Sequence, residues 1–442
     1  MKRREFIRTS AGLLALAASP GLWAVENTFS QKKNFQFKTS NVGKTLVPVT
    51  QVTPDDGHYV QTYFDVTPFS PSQKLLAVTR FPFQNRMPVL GDIADVCVID
   101  LEARTIRTVF KTKCWGFQTG GTVNWGASDR YLYANDVING TAVGVRIDLE
   151  TGGTKAYAGP LYHMAPDESC FIGFPHELRD VTQLGYGVPS KDPAHLPKLP
   201  PGASKTEGIW KTDLKTNRKS LLVSLADVVA KVPSPPPVPG GTFYFWHSKF
   251  NRQGTRIAQV LRYLTPAGLE AGVNPMTFTY NPDGSDIRYC FKAPGVAIWG
   301  AGGGHPTWHG DGVHVTRHLE VEGQGSRYCQ CKYDGTDFKV LCEKIKASGH
   351  PSIEPRARFL VTDGKGSMGD RKTTILCLID LVAEEERQVC EVPTIDPRKL
   401  GTDSVFRLDG HPCWSPDYKK VSFQAAPEAY RQLFVADLSG VI

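Results

Sequence analysis

One local pattern recurs seven times along these 442 residues, and it limits the possible folds more than any other feature. The last copy reads GHPCWSPDYKKVSFQAAPEAYRQLFVADLSG; earlier ones begin GHPSIEPRARFLVTD, GHPTWHGDGVHVTRHLE and WHSKFNRQGTRIAQVLRY. More degenerate copies run through DVTPFSPSQKLLAVTRF, GTVNWGASDRYLYANDV and LYHMAPDESCFIGF. Each has the same grammar. A short strand ends at an anchor, a turn of SPDG type follows, and then an apolar strand, a loop, a strand ending in Asp-Leu or Asp-Gly, and a last strand. The anchors are Phe69, Trp125, Met164, Phe250, Trp308, Ile353 and Trp414, about 58 residues apart. Self-similarity at such a period marks a repeat architecture, and four antiparallel strands repeated seven times predict an all-β, seven-bladed propeller. The final copy stops after its third strand. The run GKTLVPVTQV (43–52) is therefore expected to supply the missing fourth strand and close the ring.

Composition agrees with many short strands joined by turns. The 42 glycines and 32 prolines punctuate the chain about once every six residues, and an apolar content of 40%, broken into short pieces, argues against a disordered chain, a coiled coil or a membrane bundle. The net charge of +7 is inflated by residues 1–24, MKRREFIRTSAGLLALAASPGLWA. Here a basic start precedes a short apolar run and small residues, as in an export signal ending at Ala24 or Ala18. Arg3-Arg4 with Phe6-Ile7 resembles the twin-arginine signal, whose cargo crosses the membrane folded. The expected mature chain, from residue 25 on, carries only +4, and a single domain is expected over 43–442. That charge gives no reason to expect nucleic acid, and no apolar segment is long enough to hold the chain in a membrane. A periplasmic or secreted monomer is the expectation. Ten cysteines occur without a CxxC pattern and read as buried small hydrophobes.

Strand direction puts the SPDG and DLETG turns on one face and the irregular loops on the other. The long segments 178–206 and 227–246 are top-face insertions by this rule, and such loops are where a site belongs. Three residues before each anchor stand Val66, Thr122, Leu161, His247, His305, His350 and His411. Four consecutive blades thus present histidine at one inner register, three of them as Gly-His-Pro. Imidazoles converging from separate elements suit a divalent metal, and Asp409, from the loop of His411, adds an oxygen donor. At the end of each second strand stand Arg80, Asn135, Arg262, Arg317 and Asp363. The arginines at this register can hold carboxylate or sulfate in forked geometry. In the 178–206 segment Tyr186 lies between two glycines, where its hydroxyl can reach the axis.

The repeat grammar, the export signal and the axial histidines together resemble the seven-bladed propeller polysaccharide lyases, of oligogalacturonate lyase or propeller ulvan lyase type. Most of the likeness is grammar shared with TolB-like and WD40-like propellers. His305, His350 and His411 are its more specific part. The resemblance implies a divalent cation, Mn2+ first with Zn2+ or Ca2+ as alternatives, held by His350, His411 and Asp409. It leaves His305 as ligand or base, and His247 and Tyr186 as further acid–base candidates. Arg80, Arg262, Arg317 and Asn135 would then meet an anionic, uronate-bearing oligosaccharide, cleaved by β-elimination. Blades two and three depart from the pattern, with Thr122 and Leu161 in place of histidine. The alternative is a non-catalytic exported propeller that binds a glycan or protein at the same face.

Overall fold

The computed structural model describes residues 29–40, 45–183, 185–188, 199–267, 275–299, 304–396 and 404–442. The expected signal, 1–24, and part of the 178–206 segment lie outside them.

Seven antiparallel sheets follow one another along the chain, each ordered as the repeat predicts. Blade six is representative: Ser352–Ile353, Phe359–Met368, Arg371–Asp380 and Glu385–Pro393 pair in sequence order. The ring closes between chain ends. Val49–Gln51 lies antiparallel to the last strand, Gln432–Asp437, with Val49 opposite Ala436, and Lys38–Ser40 adds a fifth strand outside it. Closure covers the edge of Gln432–Asp437 and leaves the short strand Lys38–Ser40 outermost in blade seven.

The anchors show how neighbouring blades are joined. The indole N–H of Trp125 donates to Pro68 O at 2.8 Å, that of Trp414 to Ser352 O at 3.0 Å, and that of Trp308 to Lys249 O at 3.3 Å. Each carbonyl belongs to the residue just before the preceding blade's anchor, so a tryptophan buries its ring between blades and still satisfies its donor. All ten cysteines are free and buried, as small hydrophobes would be. Among the described residues the α-helices are short, Arg179–Thr182 and Leu225–Val229, and none is long and apolar enough to cross a membrane.

Blade one departs from the grammar. Its inner strand is split: His58–Val60 pairs with the end of Leu75–Phe81, and contact resumes only at a bridge from Phe69 to Leu76. Between them the chain turns into the axis and carries Tyr63 and Phe64, both 1% exposed, among the histidines. Val66 is consequently part of an excursion, not the equivalent of the histidine register. Blade four differs too. Its inner strand, Thr242–Phe250, begins within the predicted 227–246 insertion and bulges between Trp246 and Ser248, at His247.

Candidate functional site

The four register histidines form a continuous arc on the axis. Ring centroids are 5.5 Å apart from His247 to His305, 4.2 Å from His305 to His350 and 4.5 Å from His350 to His411. Tyr63 stacks on His247 at 5.0 Å and meets His411 at 4.3 Å, while Phe64 lies 5.5 Å from His350. The register has a backbone signature as well. Thr122, His247 and His411 have φ of 54°, 52° and 47°, a left-handed conformation that costs a non-glycine residue about 1–3 kcal/mol.

Asp363 organises the end of the arc that bears His350 and His411. Its carboxylate accepts the His350 N–H at 2.8 Å, His350 Nδ1–H at 2.9 Å, and the backbone N–H groups of Gly410 at 2.8 Å and His411 at 3.2 Å. One side chain thereby ties the Gly-His-Pro loops of blades six and seven together. The glycines follow from its closeness. A Cβ on Gly349 would lie 1.9 Å from Asp363 O, and one on Gly410 would lie 2.9 Å from Asp363 Cβ. Burial would raise the Asp363 pKa, but His350 outweighs it and draws the value to about 2. Burial opposes charge on His350 in turn, and Asp363 outweighs it to raise that pKa. Because Nδ1 donates to Asp363, Nε2 keeps the free lone pair.

His350, Asp409 and His411 present one donor atom each within 4.8 Å of one another, all three residues buried. His411 Nε2 is a buried atom without a hydrogen-bond partner, and burial holds its ring neutral with a pKa of about 3. Gln424 lies 3.1 Å from Nδ1 of the same ring. It is the Gln424 amide nitrogen that faces Nδ1; turning the amide over would give its unpartnered oxygen a donor, put the proton on Nδ1 and leave Nε2 free to ligate. Asp409 is ionised despite its burial because Arg407 and neighbouring cations outweigh desolvation. Arg407 Nε donates to it at 2.8 Å and Lys365 Nζ at 3.1 Å. Two imidazoles, one of them with the orphaned Nε2 of His411, and one carboxylate fit a divalent cation, which would take the place of a proton on His350. The nitrogen content suits manganese or zinc better than calcium, which prefers oxygen.

The other sequence candidates separate into two groups. His305 donates Nδ1–H to Gly349 O at 3.3 Å, stays partly exposed, and has its pKa pulled well below 6.5 by burial and by His350. Tyr186 is buried edge-on to Trp246, and its hydroxyl accepts from Arg407 at 2.8 Å. Burial raises the Tyr186 pKa despite Arg407. His247 is 0% exposed, 3.3 Å from Tyr162 Oη, with Nε2 unpartnered. Arg262 is half-buried, its Nε has no partner among the described residues, and its guanidinium lies against Gly304 beside His305.

The remaining three register residues are occupied elsewhere. Arg80 pairs with Asp95 on the adjacent strand of blade one. Asn135 uses both ends of its amide on Leu161, accepting from its N–H and donating to its carbonyl, each at 2.8 Å, which stitches blade two to blade three. Arg317 is buried and donates to Pro275 O and Thr277 Oγ1 of blade four. Polar atoms of all three are engaged in the fold, while Arg317 Nη2 is buried without a partner and Arg80 stays partly exposed. Sequence reading missed Arg407, Lys365 and Gln424. Arg407 was findable, since it precedes Asp409 by two residues in an extended segment and so shares its side. His318 also approaches the arc, 6.1 Å from His305, with a buried, unpartnered Nδ1.

Comparison with solved structures agrees with this architecture. The chain is similar to an oligogalacturonate lyase from Vibrio parahaemolyticus, with a TM-score of 0.65 at 17% identity, over 92% of this chain and 98% of that one. It is equally similar to an oligogalacturonate lyase in complex with manganese, TM-score 0.64 at 16% identity, over 92% and 97% of the two chains. At that identity the likeness carries the propeller fold. No family model matches the sequence. No curated protein sequence matches it either.

Proposed function

We propose that the protein is an exported lyase that cleaves a uronate-containing glycan by β-elimination at the axial site. The observation that carries this reading is the set His350, Asp409 and His411, with its orphaned Nε2, directly beside a neutral, partly exposed His305. The whole-chain likeness to oligogalacturonate lyases, one of them a manganese complex, supports it.

Elimination removes the proton next to the uronate carboxylate, and that proton is too weakly acidic for a neutral base unless the carboxylate is neutralised. A divalent cation on His350, Asp409 and His411, manganese by preference, would supply this neutralisation as a Lewis acid. Among the three acid–base candidates His305 is best placed to take the proton. Its Nδ1–H is held by Gly349 O, its Nε2 lone pair is free, and its depressed pKa keeps it unprotonated at neutral pH. Tyr186, kept protonated by burial, is the group available to return a proton to the leaving oxygen. Arg262 offers an uncommitted guanidinium to an acidic sugar. His247, fully enclosed behind Tyr63, holds the arc in place and does not meet substrate.

The test is a panel of uronate glycans followed by ultraviolet absorbance of the unsaturated product. Absorbance should rise with at least one glycan, and chelation or His350→Ala should abolish the rise. A metal-loaded protein that binds such a glycan without producing the chromophore would establish a binding module instead.

A further inference from the structure

The axis has a second end. Beyond Tyr63 and Phe64, on the side away from the histidine arc, a cavity of about 290 Å³ lies among the anchors Phe250, Trp308, Ile353 and Trp414. Its rim is formed by turn residues of the opposite face, exposed Arg252 and half-buried Gly310, Pro416 and Tyr418. Phe64 is the partition: its ring lies 5.5 Å from that of His350, and Lys249 Nζ, which lines the cavity, lies 4.7 Å from the same ring. Deep in the cavity, polar atoms are left open. The Asp65 side chain is 4% exposed, and its Oδ2 pairs with Lys249 Nζ at 2.5 Å. Lys249 also donates to Pro306 O at 2.6 Å. Among the described residues no group donates to Asp65 Oδ1 or meets Nδ1 of His163, another lining residue, and both atoms are buried.

A carboxylate only accepts, so whatever completes Asp65 must donate. Charge narrows the donor further. Asp65 and Lys249 cancel one another, so an ammonium ligand gains no net counter-charge, while an acid would be brought against Asp65. The walls are aromatic, and Trp308 and Trp414 have already spent their indole N–H groups between blades. They therefore offer ring surface rather than donors. A sugar ring combines hydroxyl donors with an apolar face that packs on such surface. The volume sits at the lower end of the range for small-molecule pockets, about 300–1,000 Å³, which suits one sugar unit. We infer that this cavity is a second binding site, for a single neutral pyranose whose hydroxyl donates to Asp65 Oδ1 while its ring packs on the aromatic wall. The site lies across Phe64 from His350 and needs neither the metal nor the uronate reading.

The two tryptophans make the site self-reporting. At least one of D-glucose, D-galactose and D-mannose, titrated into the chelator-treated full-length protein, should shift tryptophan fluorescence saturably. Binding should weaken at least tenfold in Tyr418→Ala, which removes a half-buried wall at the rim. It should weaken as much in the double variant Asp65→Asn with Lys249→Met, which removes both buried charges together. Should the double variant not fold, Tyr418→Ala decides alone. Affinity should be the same in chelator as in saturating Mn2+, and the Tyr418-dependent affinity for the matching uronate should be at least tenfold lower. No saturable signal with any of the three sugars would mean that ordered water alone fills the cavity, and overturns the inference. Binding that ignores Tyr418→Ala, requires Mn2+ or prefers the uronate overturns it as well. Because the measurement needs neither metal nor turnover, it stands or falls separately from lyase activity.

Discussion

Asp363 shows how much one carboxylate can organise. It fixes which nitrogen of His350 carries the proton and holds two backbone N–H groups of the next blade, so both loops that bear the donors are set by one residue. Outer groups of this kind typically account for about 10- to 100-fold in metal affinity. Asp363→Asn replaces one acceptor oxygen by a donor and should weaken Mn2+ binding by that factor in calorimetric titration. A change under about threefold would mean that His350 is oriented by packing alone. Tyr186 makes a sharper residue-scale case. Its hydroxyl is both a neighbour of Arg407 and a candidate acid, and removing a general acid costs about 100-fold or more in kcat. Tyr186→Phe should therefore lower kcat about 100-fold with little change in KM, measured as initial rates of chromophore formation. A loss under tenfold would leave Tyr186 as a support for Arg407. The histidines of this site were legible because a repeat register assigns them one place on the axis. Asn135 and Arg317 occupy an equally clear register, yet Asn135 spends both ends of its amide, and Arg317 its Nη1, on the neighbouring blade. Register gives position, but which partner a polar group finds depends on the blade beside it.

At the scale of elements, the regular strands and turns were legible because each copy repeats the same alternation and the same Asp-based turns. The excursion through Tyr63 and Phe64 was not. Nothing in the run QTYFDV breaks the apolar pattern of an inner strand, and its departure shows only once seven blades leave an axial space to be filled. The excursion closes the core from the inside: Tyr63 and Phe64 join the cluster that contains Trp246, Phe250 and Tyr186. Phe64→Ala should cost about 3–5 kcal/mol, the range for truncating a buried phenylalanine, read as the shift in urea midpoint. The same variant should also weaken metal binding, since Phe64 packs 5.5 Å from His350. Normal metal affinity in a destabilised Phe64→Ala protein would reduce the excursion to a plug with no part in the site.

For the molecule as a whole, blade number and closure were readable from periodicity, while the state of its buried charges was not, because that depends on three-dimensional burial. The histidines show the consequence. Away from His350 and His411, His163, His176 and His309 are each drawn to about 4, with burial the main cause in every case. In the unfolded chain these rings titrate near 6.5. Between pH 6.5 and 4 the unfolded state therefore binds more protons than the folded state, and stability must fall as pH falls through that window. Each ring contributes about 1.4 kcal/mol per pH unit once well below 6.5, to a ceiling of about 3 kcal/mol. His350 acts with the opposite sign. Its raised folded pKa gives stability that is present below 6.5 and lost as pH rises past its folded value, so it offsets one of the three. The net expectation is a urea midpoint that drops steadily from pH 7.5 through 6.0 to 5.0. His176→Gln should flatten part of that drop, since an amide can still donate to Leu161 O, the carbonyl that His176 Nε2 meets at 2.9 Å, and does not titrate. A midpoint unchanged from pH 7.5 to 5.0 would mean that these rings find solvent or counter-charge as they protonate, and that the core around blade three opens in acid without unfolding.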